Sequence, residues 1–358
     1  MPFFPADSIS AALETGVRKS PSPRAKPPFL TRRSAAADVG RTPHEEIYAE
    51  NKLSLVRYDS LTDWTRDIPV VLVSAIINRP YILDLQPDRS VVRRFLERGF
   101  EVYLVDWGSP SELDSSLGID DYVGRYLSRC VDEVIGRVGC DSIHLFGYCT
   151  GGTLSAIFAA LSPRRVHTLG LLAPVLNFDA DKGTFPLWER EESYSPKRVA
   201  DVYRNAPGTL LTFEFSLIAP FEYHLGRYLR LFDRLDDEAY VDHVMRRLRW
   251  GFDSVDVPGR LYRQFLVDLY RENKLQTGRL TVEGKNVDVD AIDMPIVNVI
   301  GSADQFIPPE ASLPFLDTTA SEDIQVIEFP TDHVGLSVGR ASHEDLWPRV
   351  CEWFEGHS

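Results

Sequence analysis

Cysteine is rare in the sequence, and the four cysteines form no recognisable framework. Cys130, Cys140, Cys149 and Cys351 do not fall into paired motifs with metal-ligand spacing, and they lack the density of a disulfide-stapled secreted domain. We therefore expect no metal site, no disulfides and a reduced, cytoplasmic setting. Three of the cysteines, Cys130, Cys140 and Cys351, have no reactive neighbours in the sequence and are predicted to be structural.

Long apolar runs are also absent. No stretch approaches the roughly 20 apolar residues that a bilayer-spanning helix needs, and the longest run, IPVVLVSAII, suits a buried strand. The N-terminus has no signal-peptide pattern, because Pro5 and Asp7 interrupt its short apolar start. The sequence predicts a soluble protein without a membrane span.

Positive charge is scarce relative to negative charge. The chain has 39 Lys and Arg residues against 53 Asp and Glu residues, which gives a net charge of −14, and only seven of the basic residues are lysine. A strongly acidic surface repels phosphate backbones, so the charge argues against nucleic-acid binding.

The chain divides into an arm and an α/β domain. Residues 1 to about 40 include KSPSPRAKPPFLTRRSAAA, whose composition predicts a flexible arm, either a plain mobile terminus or a tether. From about residue 41, short runs such as PVVLVSA, FEVYLVDW, SIHLFGY and MPIVNVIG alternate with helical patterns. This alternation predicts βαβ units and a mostly parallel sheet.

Two helical segments stand out. Apolar residues recur at spacings of three and four over residues 119–134, which predicts a helix with one buried face. Between about 175 and 290 the strand signals stop, and helical, aromatic sequence predicts a cap inserted into the catalytic domain 41–358. Its aromatic residues are expected to line an apolar tunnel or to form ordinary cap core: Phe213, Phe215, Phe221, Tyr223 and Tyr228.

The stretch HLFGYCTGGTLSA carries the main chemical signal. Gly147, Cys149 and Gly151 have the spacing of the G-x-S-x-G nucleophile elbow, with sulfur in place of oxygen. An apolar strand precedes the motif and TLSAIFAAL follows it as a helix. The N–H groups at the start of that helix point toward the sulfur, and Gly151 and Gly152 allow the helix to pack closely on the sheet.

An acid and a histidine follow in the chain order of the α/β-hydrolase pattern. Asp304 comes just after the strand PIVNVIG, and His333 comes just after the last strand, IQVIEFP. Asp332 is an alternative acid, but adjacent side chains of an extended segment point in opposite directions, which favours Asp304. We therefore predict Cys149, Asp304 and His333 as the catalytic residues.

An oxyanion site is predicted from two backbone segments. The Thr150 N–H at the start of the helix is one donor, and the loop after VVLVSAI supplies another from Ile77 or Asn78. For Arg79 and Asp84 in the same loop we expect an ion pair that fixes the loop.

With these residues located, the sequence resembles the polyhydroxyalkanoate synthases, and specifically the short catalytic subunits of classes III and IV. The similarity rests on YAENKLSLVRYD, INRPYILDLQPDRSVVRRFLERGFEVYLVDWG, GYCTGG, WGFDSVDVPGRLYRQFLVDLYRENKL and GSADQFIPPEAS, and it runs from about residue 43 to residue 335. One departure is visible: the family usually has Gly-Gly before its catalytic histidine, whereas Thr331 and Asp332 precede His333 here.

The resemblance implies an activity and partners. It implies polymerisation of (R)-3-hydroxyacyl-CoA, with 3-hydroxybutyryl-CoA the expected substrate, into a polyester through an acyl thioester on Cys149. CoA would be a leaving group, and no bound cofactor is expected. It also implies a homodimer, a second synthase subunit of the PhaE or PhaR type, and a location at the surface of polyhydroxyalkanoate granules.

Two other functions are consistent with the same sequence features. A cysteine hydrolase, such as a thioesterase or a dienelactone hydrolase, would use the same residues with water as acceptor. A non-enzymatic binding protein could share the scaffold, although such proteins commonly lose a catalytic residue and this sequence keeps all three.

Overall fold

Eight strands form one mostly parallel sheet in the computed structural model, which describes residues 37–179, 195–218, 220–221 and 225–358. In chain order the strands are β1 (His44–Glu50), β2 (Leu53–Tyr58), β3 (Val70–Val73), β4 (Val102–Asp106), β5 (Ile143–Tyr148), β6 (Val166–Leu172), β7 (Ile296–Gly301) and β8 (Ile324–Phe329). They lie in the order β1-β2-β4-β3-β5-β6-β7-β8. β2 is antiparallel to both β1 and β4, and the other neighbours are parallel. The predicted parallel sheet is confirmed.

Helices connect the strands and form the region between β6 and β7. In chain order they are α1 (Val91–Leu96), α2 (Ser128–Val138), α3 (Thr150–Leu161), α4 (Pro196–Tyr203), α5 (Gly208–Ser216), α6 (Arg227–Phe232), α7 (Glu238–Phe252), α8 (Gly259–Gln264), α9 (Leu313–Leu316), α10 (His333–Val338) and α11 (Trp347–Gly356). Among the described residues, π-helical segments adjoin them at Asp120–Leu127, Phe265–Arg271 and Ser342–Leu346. Within the described ranges, no helix is long and apolar enough to cross a membrane.

Shorter elements complete the fold. In the part of the chain that the structure describes, the 3₁₀ turns are Pro80–Leu83, Glu112–Asp114, Pro163–Arg165, Val289–Ala291 and Pro309–Ala311. Three small antiparallel pairs of strands join Asp84–Gln86 to Arg89–Ser90, Asn205–Ala206 to Val257–Pro258, and Thr281–Val282 to Lys285–Asn286.

The central strands are buried on both faces. In β3, Val71 and Val73 belong to an apolar cluster with α2 and α3, whereas Val70 and Leu72 belong to a second cluster with α1 and α11. Successive side chains of a strand point to opposite faces, so a strand with helices on both sides must be apolar throughout. This arrangement accounts for the run IPVVLVSAII.

The described residues between β6 and β7 are mainly helical and include α4 to α8. They fall within the predicted cap, although residues 180–194, 219 and 222–224 of that cap lie outside the described residues. The predicted arm likewise lies outside them up to residue 36. The first described residues contact the cap, because Arg246 of α7 donates its Nε–H to the Asp38 carbonyl at 2.8 Å.

The helix predicted over residues 119–134 is present, but its winding differs from that of an α-helix. Its first part, Asp120–Leu127, is π-helical, and α2 continues from Ser128. The predicted apolar positions are all buried, including Cys130. A spacing of three and four identifies the buried face but does not specify which carbonyl each N–H reaches, so the π-helical part was not predictable from it.

Candidate active site

Cys149 lies at the sharp turn between β5 and α3. Its backbone has φ 54° and ψ −126°, a sparsely populated region that costs a non-glycine residue about 1–3 kcal/mol. The Cys149 N–H donates to the Leu172 carbonyl of β6 at 2.9 Å, and the residue is 9% exposed. The strained turn presents the thiol at the edge of the sheet where the parallel strands end, which is the geometry of a nucleophile elbow.

Two glycines make this turn possible. A Cβ atom at Gly147 would lie 2.5 Å from the Cα atom of Gly152, and one at Gly151 would lie 2.2 Å from the Val73 carbonyl oxygen. Both contacts involve backbone, which cannot move aside without displacing α3 or β3. The close approach of strand and helix therefore requires glycine at both positions.

His333 and Asp304 meet beside the elbow. Asp304 lies in the loop after β7, and His333 begins α10 shortly after β8. The Nδ1 atom of His333 lies 2.6 Å from the Oδ2 atom of Asp304. The other carboxylate oxygen accepts the N–H groups of Phe306 and Ile307 at 2.8 and 2.9 Å. Both oxygens of Asp304 are therefore held in place.

The electrostatics link these two residues to Cys149. Burial disfavours the charged imidazolium of His333, but the Asp304 carboxylate together with the neighbouring Tyr148 and Cys149 outweighs burial, so the pKa of His333 lies well above its ordinary value. Tyr148 and Cys149 act on the pKa of His333 in the same direction. The structure therefore brings Cys149, His333 and Asp304, which were predicted as the catalytic residues, into one site.

Two aromatic residues at this site were not identified from the sequence. The ring of Tyr148 stacks on the His333 imidazole with centroids 5.2 Å apart, and burial raises the pKa of Tyr148 to about 12. The ring of Phe306 meets the same imidazole edge-on at 6.0 Å. Both neighbour predicted residues along the chain, but only the folded structure shows their contact with His333.

Asp332, the alternative acid, has a different environment. Its Oδ1 atom accepts the Gly335 N–H at 2.5 Å, so Asp332 caps the N-terminus of α10. Its Oδ2 atom lies 3.9 Å from Nη2 of Arg247 in α7. The carboxylate bonded to His333 is that of Asp304, and the departure from Gly-Gly before His333 provides a helix cap.

The predicted oxyanion residues lie on the two expected segments. Thr150 is the first residue of α3, and its Oγ1 atom accepts the N–H of Ile76 at 3.1 Å. The Ile77 carbonyl accepts the Val255 N–H at 3.2 Å, and Asn78 pairs with Ser254 in an isolated β-bridge. The sequence did not indicate that Ile76 reaches Thr150 or that this loop is bonded to the cap.

The predicted ion pair between Arg79 and Asp84 is wrong. Arg79 pairs instead with Asp253, with Nε and Oδ1 3.5 Å apart. Asp84 is buried and accepts the hydroxyl groups of Thr42 and Ser90 at 2.7 and 2.6 Å. Asp84 therefore turns inward, where hydroxyl donors replace the expected guanidinium.

The cap aromatics divide into different environments. The ring of Phe215 lies 5.9 Å from that of Phe306 and so extends the aromatic contacts of His333 toward the cap. Phe213 and Phe221 are exposed, and Tyr223 lies outside the described residues. In the part of the chain that the structure describes, no group of His, Cys, Asp and Glu has the arrangement of a metal site.

Comparison with known proteins identifies the family. A model of the alpha/beta hydrolase fold matches residues 68–339, and a model of the poly-beta-hydroxybutyrate polymerase (PhaC) N-terminus matches residues 33–95. The poly(3-hydroxyalkanoate) polymerase subunit PhaC of Haloferax mediterranei is 50% identical, over 92% of this chain and 69% of the relative. The subunits of the same name from Haloarcula marismortui and Allochromatium vinosum are 47% and 34% identical, over 90% and 89% of this chain and 70% and 90% of the relatives.

Solved structures agree on the fold. A soluble variant of the monoglyceride lipase of Saccharomyces cerevisiae has a TM-score of 0.57 at 13% identity, covering 95% of this chain and 99% of the lipase. A putative lipase from Sulfolobus solfataricus has a TM-score of 0.55 at 15% identity, covering 89% of this chain and 98% of the lipase. These likenesses support the predicted α/β-hydrolase fold, and the identities to the three polymerase subunits place the chain in the poly(3-hydroxyalkanoate) polymerase family.

Proposed function

We propose that this chain is a catalytic subunit that polymerises (R)-3-hydroxyacyl-CoA, with 3-hydroxybutyryl-CoA as the expected substrate, into polyhydroxyalkanoate. The observation that carries the proposal is a cysteine, rather than a serine, at the elbow beside the His333–Asp304 pair. Transfer of an acyl group from CoA to Cys149 exchanges one thioester for another at little cost in free energy. The acyl group stays activated for attack by a hydroxyl, which a serine ester would not achieve.

The first half of the reaction loads the enzyme. His333 takes the proton of the Cys149 thiol, and the sulfur attacks the carbonyl carbon of the acyl-CoA. When the tetrahedral intermediate collapses, the CoA sulfur leaves with the proton from His333. The products are free CoA and an acyl thioester on Cys149. The N–H of Thr150, with one from the Ile77–Asn78 segment, would hold the developing oxyanion.

The second half of the reaction forms the ester bond. The 3-hydroxyl group of another acyl unit attacks the thioester on Cys149, His333 accepts the hydroxyl proton, and the proton passes to the departing cysteine sulfur. The Nδ1 atom of His333 faces Asp304, so Nε2 is the nitrogen left for proton transfer. The raised pKa of His333 favours its imidazolium form, which is the form present after the proton has moved from Cys149 or from the hydroxyl.

Exclusion of water decides whether polyester or free acid forms. Cys149, Asp304 and His333 are all buried or nearly so, and the rings of Tyr148 and Phe306 cover the imidazole. This enclosure supports acyl transfer to a hydroxyl over hydrolysis.

Partners and location form a second part of the proposal. We propose that the chain assembles as a homodimer with a second synthase subunit of the PhaE or PhaR type and works at the surface of polyester granules. Several cap residues in the described ranges expose large apolar side chains, which supports contact with a partner or an apolar polymer. They are Val202, Tyr203, Phe213, Phe221, Leu229, Phe232, Leu235 and Phe252.

The test measures CoA release and acyl product separately with (R)-3-hydroxybutyryl-CoA. Wild type, Cys149→Ala and Cys140→Ala are assayed alone and co-expressed with a PhaE- or PhaR-type subunit. We expect polyester from wild type and Cys140→Ala, because Cys140 precedes the start of β5 whereas Cys149 follows its end. For Cys149→Ala we expect a more than roughly 1,000-fold loss. Full turnover by Cys149→Ala would overturn the proposal. Release of only free 3-hydroxybutyrate would make the protein a cysteine thioesterase.

A further inference from the structure

The loop after β3, residues 74–83, lies between the nucleophile elbow and the cap. On the elbow side, the Ile76 N–H donates to the Thr150 hydroxyl at 3.1 Å. The Ser74 carbonyl accepts the indole N–H of Trp107 at 2.9 Å. Apart from the 3₁₀ turn Pro80–Leu83, the loop has no regular secondary structure, so its position depends on such contacts.

On the cap side, the end of α7 and the residues after it bind the loop. The Trp250 indole donates its N–H to the Arg79 carbonyl at 2.8 Å. The Val255 N–H donates to the Ile77 carbonyl at 3.2 Å, and Ser254 pairs with Asn78. These three contacts involve loop backbone, so the path of the loop follows the position of the cap segment.

Asp253 adds the side-chain contacts at this junction. Its Oδ2 atom accepts the Tyr81 hydroxyl at 3.0 Å, and its Oδ1 atom lies 3.5 Å from Nε of Arg79. Nη2 of Arg79 also donates to the Ser109 hydroxyl at 2.8 Å. The backbone N–H of Asp253 donates to the carbonyls of Arg249 and Trp250, and Asp253 is the C-terminal cap residue of α7. One residue therefore joins the last turn of a cap helix to two side chains of the loop.

We propose that Asp253 is a positioning residue. It fixes the loop 74–83, which carries the predicted oxyanion donor at Ile77 or Asn78, relative to Cys149 and couples that loop to the cap. The inference rests on the proposed function, because it assigns the loop an oxyanion in acyl transfer at Cys149. An oxyanion donor acts only when it lies about 2.7–3.1 Å from the oxygen that becomes charged. A shift of the loop by about 1 Å would withdraw the donor while leaving Cys149 and His333 in place.

The solvent exposure of the Arg79–Asp253 ion pair predicts that a variant of Asp253 changes the catalytic rate and not the global stability. The side chains of Arg79 and Asp253 are 31% and 39% exposed, so solvent screens their attraction and the pair contributes little to global stability. The contribution of Asp253 is expected in the geometry of the loop. A variant should therefore lose catalytic rate while its unfolding temperature stays near that of wild type.

The experiment compares Asp253→Ala and Asp253→Asn with the control Glu344→Gln. Glu344 forms an ion pair with Arg340 at 2.8 Å in another exposed part of the surface. Two rates are measured: CoA release from (R)-3-hydroxybutyryl-CoA, which passes through an oxyanion, and alkylation of Cys149 by iodoacetamide, which does not. For Asp253→Ala we expect kcat for CoA release to fall about 10- to 100-fold. KM and the alkylation rate should stay within about threefold, since neither requires the oxyanion donor.

The conservative variant gives an intermediate result. An asparagine oxygen still accepts the Tyr81 hydroxyl but lacks the charge that attracts Arg79, so Asp253→Asn should lose less rate than Asp253→Ala. Amide hydrogen exchange over residues 74–83 gives a readout that does not depend on activity, and we expect faster exchange in Asp253→Ala.

Three outcomes would overturn the inference. One is a kcat of Asp253→Ala equal to that of Glu344→Gln, and another is an equal loss in CoA release and alkylation, which would indicate general disruption. The third is unchanged hydrogen exchange over 74–83. If wild type itself releases no CoA, the proposed function fails, and the exchange measurement still decides whether Asp253 holds the loop.

Discussion

The Nδ1 atom of His333 lies 2.6 Å from the Oδ2 atom of Asp304, and the two side chains are 8% and 0% exposed. The other oxygen of Asp304 is occupied by two backbone N–H groups. Contact between Asp304 and the hydroxyl of an incoming acyl unit would require this fully buried side chain to be uncovered, and its two oxygens already face three N–H groups. The geometry therefore favours a role for Asp304 in orienting His333 over direct activation of the 3-hydroxyl.

Asp304→Asn should test this role directly. An amide cannot offer acceptors both to the His333 N–H and to two backbone N–H groups, so the imidazole loses its fixed tautomer. We expect kcat for CoA release to fall roughly 10²- to 10⁴-fold. Alkylation of Cys149 by iodoacetamide near neutral pH should slow as well, because His333 would no longer take the thiol proton. Both rates are measured on the same preparation.

The alternative role of Asp304 gives a different pattern. If the carboxylate acts on the 3-hydroxyl, Asp304→Asn will keep the alkylation rate and a first burst of CoA release, and only chain elongation will fail. Asp332→Asn is the matched control, since asparagine caps a helix about as well as aspartate and Asp332 is not the partner of His333. It should keep most of the wild-type activity.

His333 also makes stability depend on pH. Its pKa is higher in the folded than in the unfolded protein, because Asp304, Tyr148 and Cys149 together outweigh the effect of burial. The folded state binds this proton more tightly, so the stabilisation is complete below about pH 6.5 and is lost as pH rises through the raised pKa. Two proteins are compared, Cys149→Ala and the double variant Cys149→Ala/His333→Gln. The unfolding temperature of the protein that keeps His333 should exceed that of the double variant most at low pH. A difference that grows above pH 6.5 would contradict the assignment.

The elbow and the order of the catalytic residues could be predicted because their signals are local. Gly147, Cys149 and Gly151 follow an apolar strand directly, and Asp304 and His333 each follow a later strand whose end lies at the same edge of the sheet. In a parallel sheet, loops at that edge converge, so position along the chain was enough to bring these residues together.

The contacts around the site could not be predicted in the same way. Tyr148 stacks on His333 and Asp253 bonds to Tyr81 across more than 170 residues of sequence, and no spacing rule encodes such pairs. The error over Asp84 has the same origin. Arg79 is a charged residue close to Asp84 along the chain, whereas the buried carboxylate bonds to the hydroxyl of Thr42, which lies on a distant part of the chain.

Gly151→Ala should destabilise the protein, whereas Gly136→Ala should not. A Cβ at Gly151 meets the carbonyl oxygens of Val73 and Ser74 at 2.2 and 2.5 Å, and forcing the backbones apart costs about 1–3 kcal/mol. Gly136 is an exposed position inside α2 with nothing within 4 Å of the added atom. There, alanine should raise the free energy of unfolding by about 0.5–1 kcal/mol. Urea unfolding measures both, and a shift of both variants in the same direction would contradict the close approach of α3 to β3.

Acid should weaken the fold through histidines that the active site does not use. His144 in β5 is buried, its Nδ1 atom lies 2.8 Å from the Thr168 hydroxyl, and its Nε2 atom lies 3.1 Å from the Ser358 hydroxyl. Burial lowers the pKa of His144 to about 3, and burial likewise lowers those of His243 and His343 to about 3 and about 4. All three are therefore neutral in the folded protein over most of the acidic range.

Proton binding by His144 changes the free energy of unfolding with a definite sign and size. Between about pH 6.5 and pH 3 the unfolded chain binds a proton at His144 that the folded chain does not, so the free energy of unfolding falls on acidification, by up to about 1.4 kcal/mol per pH unit for each such group. His144→Gln removes one of these groups and should reduce the number of protons taken up on unfolding near pH 5 by about one. Urea unfolding of wild type and variant from pH 7 to pH 4 measures this slope. Equal slopes would mean that His144 is already protonated in the folded protein, and its bonds to the two hydroxyl groups would then have to be reassigned.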